Sequence, residues 1–125
     1  RAIEDPAACL RDFSPANGYG MPSPAMRAMK SACDRAGLPA AQCRPEHWLT
    51  REAAECLAVT RSMAAGAEVE SDLGVDRGRG LMVWTVRGEL ESENSLRRWE
   101  VELRADTGAV LGVAQSLHMA SGRQP

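Results

Sequence analysis

The sequence is poor in aromatic residues and contains no long hydrophobic run. One Phe, one Tyr and three Trp make up its aromatic content, so each tryptophan carries a large share of the packing. The longest apolar stretches, at 81–84 and 109–114, are far shorter than the roughly twenty residues that a membrane-spanning helix needs. We therefore expect no membrane span.

An excess of charge of one sign is also missing. The chain has 15 Lys and Arg against 17 Asp and Glu, mixed along its length, for a net charge of −2. No basic stripe is present that could displace counterions from nucleic acid, so no nucleic-acid partner is expected. A chain of 125 residues is long enough for one core, and we predict a single domain over 1–125. That the sequence begins at Arg1 fits a form from which an N-terminal segment has been removed.

Four cysteines lie in the N-terminal half, and their even number favours structural disulfides. Three pairings are possible, and the pattern favours Cys9 with Cys33 and Cys43 with Cys56. The alternative is a zinc site in which His47 joins Cys43, Cys33 and Cys56, but the close Cys-x-x-Cys pairs typical of zinc sites are absent. Disulfides would place the protein outside the reducing cytosol, in the periplasm, in the envelope or in the medium.

The N-terminal half is predicted to be helical, with residues 1–47 forming a cysteine-bearing extension. Cap and stop signals predict helices over Asp5–Phe13 and Pro24–Ala36, and a third from the N-cap Thr50 to about Ala65. The third helix is expected to bury the stripe Ala53, Cys56, Leu57, Thr60, Met63 and Ala64, and to point Arg51, Glu55 and Arg61 toward solvent.

After Gly66 the apolar period changes from that of a helix to the alternation of strands. Four strands are predicted, and the short turns between them predict an antiparallel meander, with one face covered by the helices. Trp84 and Trp99 fall on the buried face, where we expect a cross-strand aromatic pair. The fold class is therefore α+β. The predicted strands are Val69–Val75, Leu81–Glu91, Leu96–Ala105 and Ala109–Leu117, and residues 118–125 are expected to form a flexible tail.

No motif predicts a catalytic residue, a cofactor site or a metal site. Asp106-Thr107-Gly108 matches the tripeptide of aspartic proteases, but only 17 residues follow it, and it is also an ordinary turn between strands. Gly78-Arg79-Gly80 leads into a strand and not into a helix, so it is predicted to be a turn and not a phosphate loop. His47 and His118 lack a recognisable nucleophile signature. We expect a protein that is not an enzyme.

Three blocks between Trp48 and Ala114 carry a family likeness. The first is Trp48-Leu49-Thr50 with the helix Glu52-Ala53-Ala54-Glu55-Cys56-Leu57-Ala58, and the second is Val83-Trp84-Thr85-Val86. The third is the run from Trp99 through Asp106-Thr107-Gly108 to Leu111. Together they resemble the PepSY-like domains of bacterial envelope proteins and protease propeptides, and residues 48–117 would form the PepSY-like helix and sheet.

The resemblance implies a small non-catalytic module that restrains proteases or binds partners in the envelope. We accordingly expect a secreted or periplasmic binding module that meets a protein partner, a protease among the candidates, through a strand edge or a sheet face. The alternative is a small-molecule or lipid carrier with a pocket between helix and sheet. No cofactor is implied, and the sequence makes no prediction of oligomeric state.

Overall fold

Two helices precede a four-stranded sheet in the computed structural model, which describes Cys9 and residues 23–119. The arrangement is the predicted α+β fold. Helix α1 covers Pro24–Arg35 and α2 covers Arg51–Ser62, with short 3₁₀ helices at Ala40–Gln42 and Pro45–His47 between them. The strands are β1 (Glu68–Asp76), β2 (Leu81–Ser92), β3 (Ser95–Arg104) and β4 (Val110–Met119).

Both helices begin where the sequence places a cap. The hydroxyl of Ser23 accepts the Met26 N–H at 3.1 Å, and that of Thr50 accepts the Ala53 N–H at 3.2 Å. Helix α2 ends at Ser62, earlier than the predicted Ala65, because the backbone of Met63 is already extended. The predicted helix Asp5–Phe13 lies outside the described residues except for Cys9.

The four strands form an antiparallel sheet in the order β1-β2-β3-β4, which confirms the predicted meander. Strand β4 continues past Leu117, since Leu96 pairs with His118 and Ser95 with Met119. The prediction of a tail from residue 118 was therefore wrong for these two residues, because the start of β3 offers them a partner. A β-bulge interrupts the β3–β4 register between Glu102 and Leu103.

One face of the sheet packs against α2 and the segment before it. Trp84 and Trp99 both lie buried on this face, as predicted, at 1% and 3% exposure. They do not form the expected pair, because the hairpin that places Ser92 opposite Ser95 sets a register with Trp84 opposite Leu103 and Trp99 opposite Gly88. The largest fully buried side chains of this core include Trp48, Leu49, Leu57, Trp84, Val86, Val101 and Leu103.

All four cysteines form disulfides, in a pairing different from the one that the pattern favoured. Cys9 bonds to Cys56 and Cys33 bonds to Cys43, with Cα–Cα distances of 5.6 and 5.5 Å. The chain reverses at Gly37 after α1, and this reversal returns Cys43 to the end of the helix that carries Cys33. Because all four sulfurs are in disulfide bonds, none is available as a thiolate ligand for the alternative zinc site.

Candidate protein-binding edge

The sheet face opposite the helices is covered by alternating charges. Arg87 lies 3.1 Å from Asp72 and 3.3 Å from Glu100, and Arg98 lies 3.1 Å from Glu89. The Arg87–Glu100 and Arg98–Glu89 pairs are also directly opposite in the register of β2 and β3. These side chains are about half exposed, so the pairs contribute little to stability. We call this surface the open face.

A shallow groove of about 690 Å³ crosses the open face from β1 to β4. Its arginines, Arg87 and Arg98, already hold carboxylates of neighbouring strands. The pKa of Arg87 is raised, chiefly by its hydrogen bond to Asp72. The groove therefore presents paired arginines among four glutamates and not a cluster of cations awaiting an anionic ligand.

Asp106 occupies the turn between β3 and β4 and is held on two sides. Arg104 donates to its two oxygens at 2.9 and 2.8 Å, and the Gln42 amide donates at 3.0 Å. The hydrogen bonds from Arg104 are the main reason that the pKa of Asp106 is lowered, and Gln42 adds to the effect. A carboxylate kept ionised in this way holds a turn together, so the structural interpretation of the tripeptide is confirmed. The Gly108 N–H closes the turn on the Arg104 carbonyl at 2.8 Å, with a φ of +77° at Gly108.

Gln42 is a buried polar residue that the sequence analysis did not single out. Besides bonding Asp106, its side-chain oxygen accepts the backbone N–H of Met82 at 3.0 Å, and its own carbonyl accepts the indole N–H of Trp48 at 2.8 Å. The residue is 7% exposed. It sits in a short 3₁₀ helix between Pro39 and Pro45, a segment in which apolar periodicity gives no signal.

Three charged residues of α2 reach the sheet, where the sequence predicted solvent-facing side chains. The guanidinium of Arg51 donates to the carbonyl and the hydroxyl of Ser71, and that hydroxyl donates to Glu55 at 2.6 Å. Arg61 donates to the Gly108 carbonyl at 2.7 Å. Arg51 and Arg61 are exposed, as predicted, but long side chains extend well past the helix face that bears them, so the prediction missed these contacts. These bonds fix α2 to β1 and to the turn before β4.

The interior between α2 and the sheet, where the carrier hypothesis places its pocket, is filled by fully buried side chains such as Leu57 and Leu103. A cleft of about 330 Å³ lies instead at the edge of the helical layer, between α1, α2 and β1. Met26 and Leu73 line it, and the Arg51 guanidinium lies 5.3 Å from the Trp84 ring beside it. This cleft is at the small end of the range for ligand pockets.

The two histidines belong to different elements and both are exposed. His47 ends the second 3₁₀ helix, and His118 lies in β4, with its ring 3.4 Å from the Ser116 hydroxyl. Within residues 23–119 and Cys9, no group of three or more His, Cys, Asp and Glu side chains is placed to hold a metal ion. Over the same residues, no helix has the length and apolar character to cross a membrane.

The outer side of β4 is the candidate binding surface. In the described part of the chain, β3 is the only strand that pairs with it, so its outer backbone groups face away from the sheet. The strand has ten residues and contains no Asp, Glu, Lys, Arg or Pro. Exposed large hydrophobic side chains of the described residues occur only here, at Val110 (39%), Val113 (49%), Leu117 (60%) and Met119 (59%). We call this surface the free edge.

Natural sheets usually protect an outer strand with charges, proline or a covering element. Strand β1, at the opposite side of the sheet, is protected in this way. Its open-face positions carry acids, and its other face packs through Leu73 and Val75 against the core. Within residues 23–119, the free edge of β4 has neither device. The sequence analysis found the strand but missed its exposure, although the absence of charge over 110–119 was readable.

No protein-family model matches the chain, and no curated protein or solved structure matches it either. The resemblance of residues 48–114 to PepSY-like domains therefore stays a prediction. What the chain does has to be argued from its own surfaces.

Proposed function

We propose that the chain is a non-catalytic binding module that accepts an extended segment of a protein partner as an additional strand along the free edge of β4. The observation that carries the proposal is a strand side with no partner among the described residues, which coincides with exposed apolar side chains and no charge. Main-chain hydrogen bonds along such an edge supply affinity, and alternate side-chain positions supply selectivity. Val113 and Leu117, two positions to either side of Gln115, are the contacts that a partner's alternate side chains would meet.

The proposed place of action is outside the reducing cytosol, in the periplasm, the envelope or the medium. Two disulfides support this location, because thiols are kept reduced in the cytosol by glutathione. The PepSY-like resemblance implies a protease or another envelope protein as the class of partner. This implication comes from the sequence and does not depend on the free edge.

An accessible strand edge and a filled interior favour protein binding over the carrier function. A carrier needs an enclosed apolar cavity, and the space between α2 and the sheet is occupied by core side chains. A strand-adding module needs an accessible edge of sufficient length, and β4 supplies ten residues.

The proposal is tested by placing a charge on the free edge. We expect Val113→Lys to weaken retention of partners from an envelope extract by about tenfold or more, since a lysine there must be desolvated on pairing. Glu70→Lys adds the same side chain to β1 and should leave retention unchanged. Both positions are exposed, so both variants should fold, as checked by circular dichroism.

Hydrogen exchange identifies the mode of binding. Partner addition at the free edge should slow exchange of the outward-facing amides of β4 and leave those of β1 unaffected. A panel of proteases then tests whether a bound partner is inhibited. Retention that is equal for Val113→Lys and the parent chain, with unprotected β4 amides, would show that the free edge is not the binding surface.

A further inference from the structure

We infer that the segment which pairs with the free edge is β4 of a second copy of this chain, antiparallel to the first and related to it by a two-fold axis at Gln115. This inference rests on the proposed function of the free edge and names its occupant. It is carried by a match of side chains that a single register satisfies.

Symmetry limits the registers to be considered. When two identical antiparallel strands pair about a two-fold axis and keep each side chain on its own face, one residue must stand opposite its own copy. Near the middle of β4 that residue is Ala114, Gln115 or Ser116. The β-bulge beside Glu102 and Leu103 lies outside the regular stretch 112–118, so it does not disturb these three registers.

The apolar side chains distinguish among the three. With Gln115 opposite itself, Val113 faces Leu117 of the second copy on the helix side of the sheet, and the two amides can bond to each other. With Ala114 at the centre, Val113 faces Gln115 of the second copy. With Ser116 at the centre, Leu117 faces that glutamine. The Ser116 register would also set Val113 against Met119, but only the Gln115 register places Val113, Leu117 and Gln115 all opposite side chains of their own kind.

The charges of β3 are compatible with the same register. On the open face, Ser116 is paired with Arg98 and Ala114 with Glu100. With Gln115 at the centre, Ser116 faces Ala114 of the second copy, so Arg98 and the other chain's Glu100 lie in one row across two small residues. A centre at Ser116 would align the two copies of Arg98, and a centre at Ala114 would align the two copies of Glu100.

The distance across that row sets what the charges can do. Three strand spacings separate the two β3 strands, about 14 Å, beyond the Debye length of physiological salt. The charges are therefore compatible with this register but too far apart to select it, so both register and affinity have to come from main-chain bonds and the apolar contacts. A head-to-tail contact with β1 is disfavoured, because that strand is acidic on one face and packs on the core with the other.

Sedimentation of the intact, oxidised chain between 1 and 500 µM provides the test. We expect a concentration-dependent dimer that Val113→Lys and, separately, Leu117→Lys convert to monomer over the whole range. Glu70→Lys should dimerise like the parent chain. Gln115→Cys should form an intermolecular disulfide with itself under mild oxidation, because directly opposite strand residues lie within disulfide reach. Ala114→Cys should cross-link only when mixed with Ser116→Cys.

The outcomes separate the inference from the proposal beneath it. A parent chain that stays monomeric at 500 µM, while an envelope protein protects its β4 amides, would overturn the second copy as occupant and leave the binding function standing. A monomer whose β4 amides no partner protects would remove both. A dimer that persists in both lysine variants, or cross-links best through Ala114→Cys alone, would overturn the proposed pairing.

Discussion

The two outer strands of the sheet, β1 and β4, share an alternating sequence but meet different surroundings. Strand β1 has the core behind it and carries Glu68, Glu70, Asp72 and Asp76 on its other face. Strand β4 runs past the helical layer, so the side chains that alternation assigns to the interior, such as Val113 and Leu117, remain exposed. Alternation thus tells which side chains share a face, but whether that face is buried depends on the reach of the layer above it.

Removal of the disulfides should have the largest effect, because they hold the helical layer that covers the inner face of β1. Loop-closure entropy predicts a loss of about 4 kcal/mol for Cys9→Ser with Cys56→Ser, whose bridge spans 47 positions, and about 3 kcal/mol for Cys33→Ser with Cys43→Ser, which spans 10. Urea unfolding of the two double variants measures both. A larger loss for the short loop would contradict the expected order.

At the turn that leads into β4, α2 and the residues before it still touch the β4 end of the sheet. A methyl group at Gly108 would lie 2.6 Å from Leu57 Cδ1 and 3.0 Å from Leu49 Cδ1, at a positive φ. We expect Gly108→Ala to cost about 2–3 kcal/mol. Gly80→Ala is the control, with a φ of +68° and nothing within 4 Å, and should cost about 1 kcal/mol. Equal losses in thermal unfolding would show that packing at Gly108 is unimportant.

Acid should loosen the same turn through Asp106. Because its pKa is lower in the folded state than in the unfolded chain, the carboxylate stabilises the protein fully above the ordinary value near 3.9, and the effect is lost as the pH falls through the lowered pKa. We expect Asp106→Asn to cost about 1–2 kcal/mol at pH 7, where it replaces a charge-assisted bond to Arg104, and progressively less as the pH falls through the lowered pKa.

Denaturant titrations of both proteins from pH 7 to pH 2 give this comparison. The exposed Asp34 serves as the control site through Asp34→Asn, for which a change within about 0.5 kcal/mol is expected. A deficit of Asp106→Asn that stays constant with pH would exclude the ionised carboxylate as its cause.

The smallest expected effects come from truncating one leucine in each outer strand. Leu73 of β1 packs against the core and Leu117 of β4 is 60% exposed. We expect Leu73→Ala to lower the unfolding free energy by about 1–2 kcal/mol and Leu117→Ala to change it by less than about 0.5 kcal/mol in dilute protein. Chemical denaturation at low micromolar concentration tests this. A comparable loss at Leu117 would mean that β4 is covered in solution.

Local signals in the sequence were sufficient for the elements and their order. Caps at Ser23 and Thr50 and the change of period after Gly66 correctly predicted two helices and an antiparallel meander. The disulfide partners were not predictable in the same way, because proximity of Cys33 to Cys43 depends on the reversal at Gly37 and not on helix faces.

The candidate site was readable only in part. An uncharged strand near the C-terminal end is visible in the sequence, but its exposure depends on how far α2 extends over the sheet, and no local pattern encodes that. The contacts of Arg51 and Arg61 with the sheet were not predicted for a related reason. The polar pattern of a helix gives the direction of each Cβ atom, and it does not give the reach of a guanidinium.

Gln42 joins parts of the chain that are remote in sequence. Its side chain bonds to groups 40 and 64 positions away, at Met82 and Asp106. Closing loops of this length costs chain entropy, which makes these bonds entropically demanding. The helical layer and the sheet should consequently melt as one cooperative unit, and a fragment that begins after residue 42 would have no amide to satisfy the Met82 N–H at the first hairpin.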